Sequence, residues 1–226
     1  MDLPPANYSQ EELAESLADI RKVNRFLGDN HATLKFFSAL LPGIAAADRP
    51  VTVLDVATGS ADIPVAIVRW ARRRGVKVAV TAVDANPDVV HEAGTFTKAY
   101  PEITVARADG FSLPYADGSF DVVLCMKTLH HLSEEDTVRW LRELYRVTAS
   151  GYIIMDIRRS GVAWMLITML TRLFTRNRLT RYDGPLSVLR SYTDAELAAL
   201  AAQAGFPDSR IVRAPFWRIV LTGRKA

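Results

Sequence analysis

The stretch Val51-Thr-Val-Leu-Asp55-Val-Ala57-Thr-Gly59-Ser-Ala61-Asp62-Ile-Pro64 runs from an apolar segment through an acid and a set of small residues into a helical pattern. That order reads as a strand, a tight turn and a helix N-terminus, the βα unit on which nucleoside-containing cofactors sit. The turn departs from the dinucleotide fingerprint G-x-G-x-x-G, whose third glycine packs the helix against the strand beside a pyrophosphate. Aligned on Gly59, the three positions are Ala57, Gly59 and Asp62. A carboxylate at that helix N-terminus repels a pyrophosphate. It suits instead a ligand that joins an adenosine to a cationic amino-acid end.

Outward from this unit, strands and helices alternate. Upstream, Ser9-Gln-Glu-Glu12 is a capping box followed by Leu13, Leu17, Ile20, Val23 and Leu27 at helical spacing. Gly28-Asp29-Asn30 interrupts, a second helix is expected from about His31 to Leu41, and Pro42-Gly43 stops it. Downstream, the pattern predicts a helix over 63–74, a strand over 76–83 ending in Asp84, and a helix opened by Asn86-Pro87. Strands follow over 103–106 and 121–126, then a helix opened by Ser133 and a strand over 152–157. A second capping box, Thr193-Asp-Ala-Glu196, starts a helix that Gly205 closes, and 210–214 and 217–222 read as two closing strands. The fold expected is α/β: a doubly wound, Rossmann-like, seven-stranded mixed sheet with an antiparallel last strand and an N-terminal helical cap. The expected organisation is one domain over 1–226, with a cap over 1–42 and an acceptor-side lid segment over 158–192.

Composition fits this reading. The 226 residues are 49% hydrophobic and 23% charged, enough for a substantial core. A net charge of +3 is too small to call for nucleic acid, and no aromatic-basic interleaving or helix-turn-helix pattern supports it. One cysteine, Cys125, allows no internal disulfide and makes a cytoplasmic location the simplest expectation. The opening Met1-Asp-Leu-Pro-Pro lacks the charged and apolar regions of a signal peptide. No His/Asp/Glu cluster has metal-ligand spacing, so no metal is expected.

In open α/β sheets, ligands bind beyond the carboxyl ends of the strands, and the unusual residues gather there. Asp84 ends the second strand 25 positions past Gly59, near the spacing for an acid that grips ribose hydroxyls. After the third strand stands Ala108-Asp109-Gly110-Phe111, an acid able to accept from an exocyclic amine next to an aromatic able to cover a flat ring. Each is ordinary alone: strand-end acids are commonly solvated, and Asp-Gly is a turn dipeptide.

Together they make the chain resemble the class I S-adenosylmethionine (SAM)-dependent methyltransferases. Asp55 to Ala61 is similar to that superfamily's D-x-G-x-G-x-G motif, with alanine at the first and third glycines. Phe120-Asp-Val-Val-Leu-Cys-Met126 is similar to its fourth motif. The resemblance implies SAM as cofactor and S-adenosylhomocysteine as its product form. It implies a site of Asp55, Ala57, Gly59, Ala61, Asp84, Ala85, Asp109, Gly110, Phe111, Met126 and Lys127, with Asp84 on the ribose and Asp109 on the adenine.

Methyl transfer from a sulfonium is an in-line displacement whose main demand is placement of the acceptor, aided by a base when the acceptor is a hydroxyl. His130-His131-Leu132 follows the fourth strand, and Asp156 ends the fifth, 25 positions past His131. Adjacent strand ends lie about 5 Å apart, so a His–Asp pair across the pocket mouth is feasible. The resemblance puts His131, His130 and Asp156 around the acceptor. The alternatives are a histidine that caps the next helix and an Asp156 that pairs Arg158 or Arg159.

Between Asp156 and the second capping box, Val162–Phe174 is apolar nearly all round, with Arg158, Arg159, Arg172, Arg176, Arg178 and Arg181 about it. A helix of that kind is buried or touches something greasy. Three readings stand: a core helix, a dimer contact, or a lid over a lipophilic acceptor that reaches a membrane or lipid through 162–181. Tyr182-Asp-Gly-Pro185 and Ser187-x-x-Arg190-Ser-Tyr192 read as a polar loop. Val23-Asn24-Arg25, His130-His131-Leu132, Asp156–Ser160 and Asp183–Ser187 resemble small bacterial methyltransferases of specialised metabolism, some of which accompany polyketide synthases. The function expected is methylation of a small lipophilic aromatic or polyketide-like acceptor by a monomer or homodimer, at oxygen first and at a quinone-ring carbon second. The rivals are an NAD(P)-dependent oxidoreductase, which Asp62 opposes, and a cofactor-binding regulatory protein without catalysis.

Overall fold

A computed structural model describes residues 9–44, 49–175, 177–206 and 209–225; Met1–Tyr8 and Arg176 lie outside the described residues. The chain runs α1 (Gln10–Leu27), α2 (Asp29–Leu40), β1 (Val51–Val56), α3 (Asp62–Arg74), β2 (Val78–Asp84), α4 (Pro87–Thr97), β3 (Ile103–Arg107) and β4 (Phe120–Met126). A short 3-10 turn at Leu129–His131 leads into α5 (Glu134–Val147), β5 (Thr148–Ile157), α6 (Gly161–Phe174), α7 (Arg178–Arg190), α8 (Asp194–Ala204), β6 (Arg210–Ala214) and β7 (Arg218–Arg224).

The strands form one seven-stranded sheet in the order β3-β2-β1-β4-β5-β7-β6. β1 to β5 pair in parallel, and β7 runs antiparallel between β5 and β6. Alternation along the strands loads both faces. Leu54, Val56, Val123, Cys125 and Ile154 pack with Leu141, Leu144 and Leu200 of α5 and α8. Val51, Val53, Val122, Leu124 and Ile153 pack with Phe37, Ile67 and Val68 of α2 and α3. Buried on both faces, these strands read as continuous apolar runs, as parallel strands must. Asp121 fixes the register at the amino end of β4: it accepts a forked pair from Arg49 (2.5 and 2.7 Å) and the Thr52 amide and hydroxyl (2.9 Å each). Its carboxyl is held below its ordinary range, chiefly by the Arg49 bond. It is thus a structural acid at the amino end of β4, away from the turn after β1.

The sequence-predicted boundaries shift where backbone capping decides them. Both capping boxes form. Gly28, left-handed at φ 79°, ends α1 and opens α2 at once, so α2 begins at Asp29 rather than His31. Val76 does not open β2; its amide bonds the Ala71 carbonyl at the close of α3. The expected polar loop at 182–192 is mostly helix, with Pro185 inside α7. Pro185 has no N–H to give the carbonyl of Arg181. Gly184 serves packing rather than turning: a Cβ there would lie 3.0 Å from Thr171 Cγ2, so α6 and α7 meet across it. Tyr192 is buried, its hydroxyl shared with Thr137 (3.0 Å) and the Leu132 carbonyl (3.2 Å). α6 is not a core helix: Val162, Met165, Met169 and Leu173 are 50–68% exposed.

Gly110 is required by a neighbour. A Cβ there would sit 2.1 Å from the Trp140 ring of α5. Gly110→Ala is expected to cost ~1–3 kcal/mol by overpacking, read as a lower urea midpoint. Adding Trp140→Leu is expected to recover part of that loss, because the clash is with the indole.

Candidate active site

The carboxyl ends of β1 to β5 carry the residues singled out from sequence. The turn after β1 is held in an unusual form: Ala57, Gly59 and Ala61 have φ of 57°, 53° and 53°. Left-handed conformations cost an alanine on the order of 1 kcal/mol, so the turn needs fixed partners. The Thr58 amide bonds the Val83 carbonyl (2.9 Å), the Ala61 amide the Thr58 carbonyl (3.0 Å), and the Gly59 amide Asp84 Oδ2 (3.1 Å). Asp84 also accepts the Asn86 amide (3.1 Å), and the Asp84 carbonyl takes the Ala108 amide (3.1 Å). The β1, β2 and β3 ends are thereby tied in series. Asp109 is exposed, with one oxygen on the Phe111 amide (2.9 Å), and Phe111 meets Trp140 edge-on at 4.9 Å. Ala85 is exposed and offers its carbonyl to Arg107 Nε (3.1 Å).

Three carboxylates crowd the turn. Asp55 is buried and accepts the Thr58 hydroxyl at 2.6 Å. Burial first, and then the negative charges of Asp62 and Asp84, push it up to about 7. Asp62 is also raised, by burial, against hydrogen bonds from Ser60 (2.6 Å) and the Asn24 amide (3.2 Å to each oxygen). The nearby cation, Lys127, is committed elsewhere: its Nζ donates to Asn24 Oδ1 (2.6 Å) and Asp29 Oδ2 (2.7 Å). Asp29 receives Arg218 on its other oxygen. This donor set fits a cationic ligand and opposes a phosphate.

At the carboxyl ends of β4 and β5, the parallel pairing of the two strands brings Asp156 to the turn after β4. Asp156 Oδ1 lies 2.6 Å from His130 Nδ1, and Oδ2 accepts the His130 amide (3.1 Å). Both side chains are 3% exposed. Burial alone would raise Asp156, but the His130 ring and the amide donors hold it below its ordinary value. Arg159 pairs Glu196 at 2.5 Å instead, and the ion pair of Asp156 is with His130 rather than with either arginine. His131 is half-buried beside His130, ring centroids 4.0 Å apart. The Met126 carbonyl accepts Thr128 Oγ1 (3.2 Å), and Lys127 has φ 57° with its amide on the Met155 carbonyl.

The sequence marks Asn24 only through the Val23-Asn24-Arg25 resemblance and Asp29 only as part of a helix break, and it singles out nothing at Arg218. Asn24 and Asp29 are each buried in a helix that otherwise shows water a polar face, and Arg218 opens β7 at 4% exposure. Asp29 directly after Gly28 was the available signal; nothing local marks Arg218. Arg25 is exposed. Among the described residues no cluster of His, Cys, Asp or Glu could hold a metal ion.

The sheet order, the strained turn after β1 and the acids at the ends of β2 and β3 define a class I SAM-dependent methyltransferase architecture. The comparisons agree: residues 53–151, a little under half of the chain, match the model of a methyltransferase domain family. The chain is 29% identical over 160 residues to the ubiquinone/menaquinone biosynthesis C-methyltransferase UbiE of Bdellovibrio bacteriovorus, covering 69% of this chain. It spans 66% of that relative's length, just under two thirds. The structure of a SAM-dependent methyltransferase from Aquifex aeolicus superposes with a TM-score of 0.63 at 19% identity, covering 93% of this chain and 97% of that one. Human N-acetylserotonin methyltransferase in complex with SAM gives a TM-score of 0.68 at 15% identity, covering 96% and 56%. These two structures are like this chain in fold.

Asp55 yields a prediction on pH. Its folded-state pKa, about 7, lies above its ordinary 3.8. Its stabilising contribution is therefore fully present below about pH 4 and is lost as pH rises through 7. Asp55→Asn keeps an acceptor for Thr58 without the charge. Urea unfolding from pH 4.5 to 8 is expected to show the wild type losing on the order of a few kcal/mol relative to Asp55→Asn.

Proposed function

We propose that the chain methylates a small lipophilic acceptor bearing an acidic hydroxyl, an aromatic or polyketide-like phenol or enol, with SAM as donor and oxygen as the favoured target. The observation that carries this reading is the buried His130–Asp156 pair beside the acid-rich cofactor turn. When bound, SAM supplies an electrophilic methyl on a sulfonium whose leaving thioether is neutral. The protein's own groups meet the remaining demands. Asp84 holds ribose hydroxyls, Asp109 accepts from the adenine amine, and Phe111 covers the ring. The backbone at Ala57, Gly59, Ala61, Ala85, Gly110, Met126 and Lys127 shapes the slot. The carboxyl groups crowded at Asp55, Asp62 and Asp84 favour a ligand that brings positive charge, which would draw Asp55 toward its ionised form.

On the acceptor side, Asp156 holds the proton of His130 on Nδ1 and leaves Nε2 to accept one from the acceptor hydroxyl, the division of labour of a His–Asp pair. A deprotonated phenol carries charge on its oxygen and on its ortho and para ring carbons. The same base therefore serves a second reading, methylation of a quinone-type ring carbon, which the likeness to UbiE favours. The contacts of α7 with α1 and with the Leu129–His131 turn support 158–192 as the acceptor-side lid. Water exclusion there strengthens the His130–Asp156 interaction.

Calorimetry with SAM and with NADH tests the cofactor: heat with SAM alone is expected, and saturation by NADH alone would overturn the reading. Asp84→Ala is expected to weaken SAM binding about tenfold or more, the scale of a charge-assisted hydrogen bond.

Turnover of carbon-13-methyl SAM on phenolic acceptors, followed by NMR, distinguishes oxygen from carbon products. His130→Ala is expected to lower turnover about a hundredfold or more, the scale of general-base catalysis, with SAM affinity kept. A larger loss in His131→Ala would move the base to the neighbouring ring.

A further inference from the structure

We infer that the outer face of α6 docks on an anionic lipid surface. Residues 158–192 contain seven arginines and one acid, Asp183, while the other 191 residues carry 21 basic and 24 acidic side chains. A chain of net charge +3 therefore concentrates its positive charge on one segment and is acidic elsewhere. α6 itself has no acid. Its inner side turns Ala163 and Thr171 into the protein, and Gly184 lets α7 lie close against it. Its outer stripe, Val162, Met165, Met169 and Leu173, repeats at helical spacing and is more than half exposed apart from Met169 at 50%.

Charge brackets that stripe. Arg159, exposed just before the helix, is already paired with Glu196 (2.5 Å), so the unpaired charge lies mainly at the other end. Exposed Arg172 and Arg181 stand at its far end, where Arg181 Nη2 donates to the Arg172 carbonyl (3.0 Å). An apolar stripe with flanking arginines is the pattern of an interfacial helix, whose aliphatic side chains enter the acyl boundary while the guanidinium groups remain at the phosphates. Spanning is excluded for every described helix, none being long and apolar enough. A second copy of the chain is the poorer occupant. A two-fold contact through this face would bring two copies of the same arginine-rich segment together with no acid on α6 to meet them. This proposal does not rest on the methyl-transfer reading, since vesicle binding needs neither SAM nor acceptor.

The test is co-sedimentation of the full-length protein with vesicles of phosphatidylcholine, alone or with about 30% phosphatidylglycerol, enough for a marked negative surface potential. Binding to the anionic vesicles alone is expected, weakening as salt is raised. Met165→Asp/Met169→Asp is expected to abolish it. Arg172→Glu is expected to weaken it about fivefold or more, since each basic residue near such a surface contributes ~1 kcal/mol. Circular dichroism melts check the variants; should the double aspartate variant fail to fold, Arg172→Glu and the salt series carry the test. Equal binding to neutral vesicles, undiminished binding of the variants, or no binding at all would overturn the proposal. So would a wild-type dimer that Met165→Asp/Met169→Asp splits while vesicles draw nothing down.

Discussion

One buried carboxylate holds the N-terminal helices to the sheet. Asp29, 1% exposed between α1 and α2, receives Lys127 from the turn after β4 and Arg218 from β7. Burial would raise its pKa, and the two cations hold it below its ordinary value instead. Arg218 also donates to the Leu27 carbonyl (2.7 Å) at the end of α1, so the joint between the helices is closed from both sides. Removing one partner of such a buried pair typically costs ~3–5 kcal/mol, because the other charge is left behind. The arrangement also fixes Lys127 in its left-handed conformation and turns its ammonium toward Asn24, which in turn holds Asp62. One continuous polar chain thus links the N-terminal helices to the turn after β1.

That chain explains why the turn tolerates its own charge. Burial disfavours a charge on Asp55, and the neighbouring Asp62 and Asp84 add to the cost. Hydrogen bonds from Thr58, Ser60, Asn24 and the Gly59 amide offset part of it. The remaining negative potential discriminates among ligands: it attracts a sulfonium or ammonium and penalises a pyrophosphate by the same Coulomb energy. Alanine at positions 57 and 61 is tolerable in this frame, because the amides flanking each bend already have fixed acceptors.

Much of this was legible in the sequence, and the limits follow from distance along the chain. Strand β1, the acids at 84 and 109 and both capping boxes depend on neighbours within a few residues, and the local pattern predicts them. The partner of Asp156 depends on the register of β4 with β5, so sequence allowed His130, His131 or an arginine; the geometry gives His130. Asp29 with Arg218 joins residues 189 positions apart, beyond any local signal. Gly184-Pro185 failed in the opposite sense. Both residues commonly mark turns, but here the glycine answers a close approach to Thr171, and tertiary contact keeps the segment helical. The composition of α6 showed that it needed an apolar neighbour and could not show on which side.

The two ends of α6 and α7 then make one physical argument. In the reaction proposed above, a base that takes a proton from an aromatic hydroxyl would work best where water is excluded, and His130 and Asp156 are both 3% exposed at the side chain. An acceptor apolar enough to enter such a place is poorly soluble and partitions to lipid. α7 packs on one side against the Leu129–His131 turn and on the other against α6, whose free face is apolar. A single helical hairpin therefore spans the distance between a greasy outer surface and a dry inner one. Its glycine contact keeps the two helices together, so an acceptor moving between them would exchange one apolar environment for another without full exposure to water.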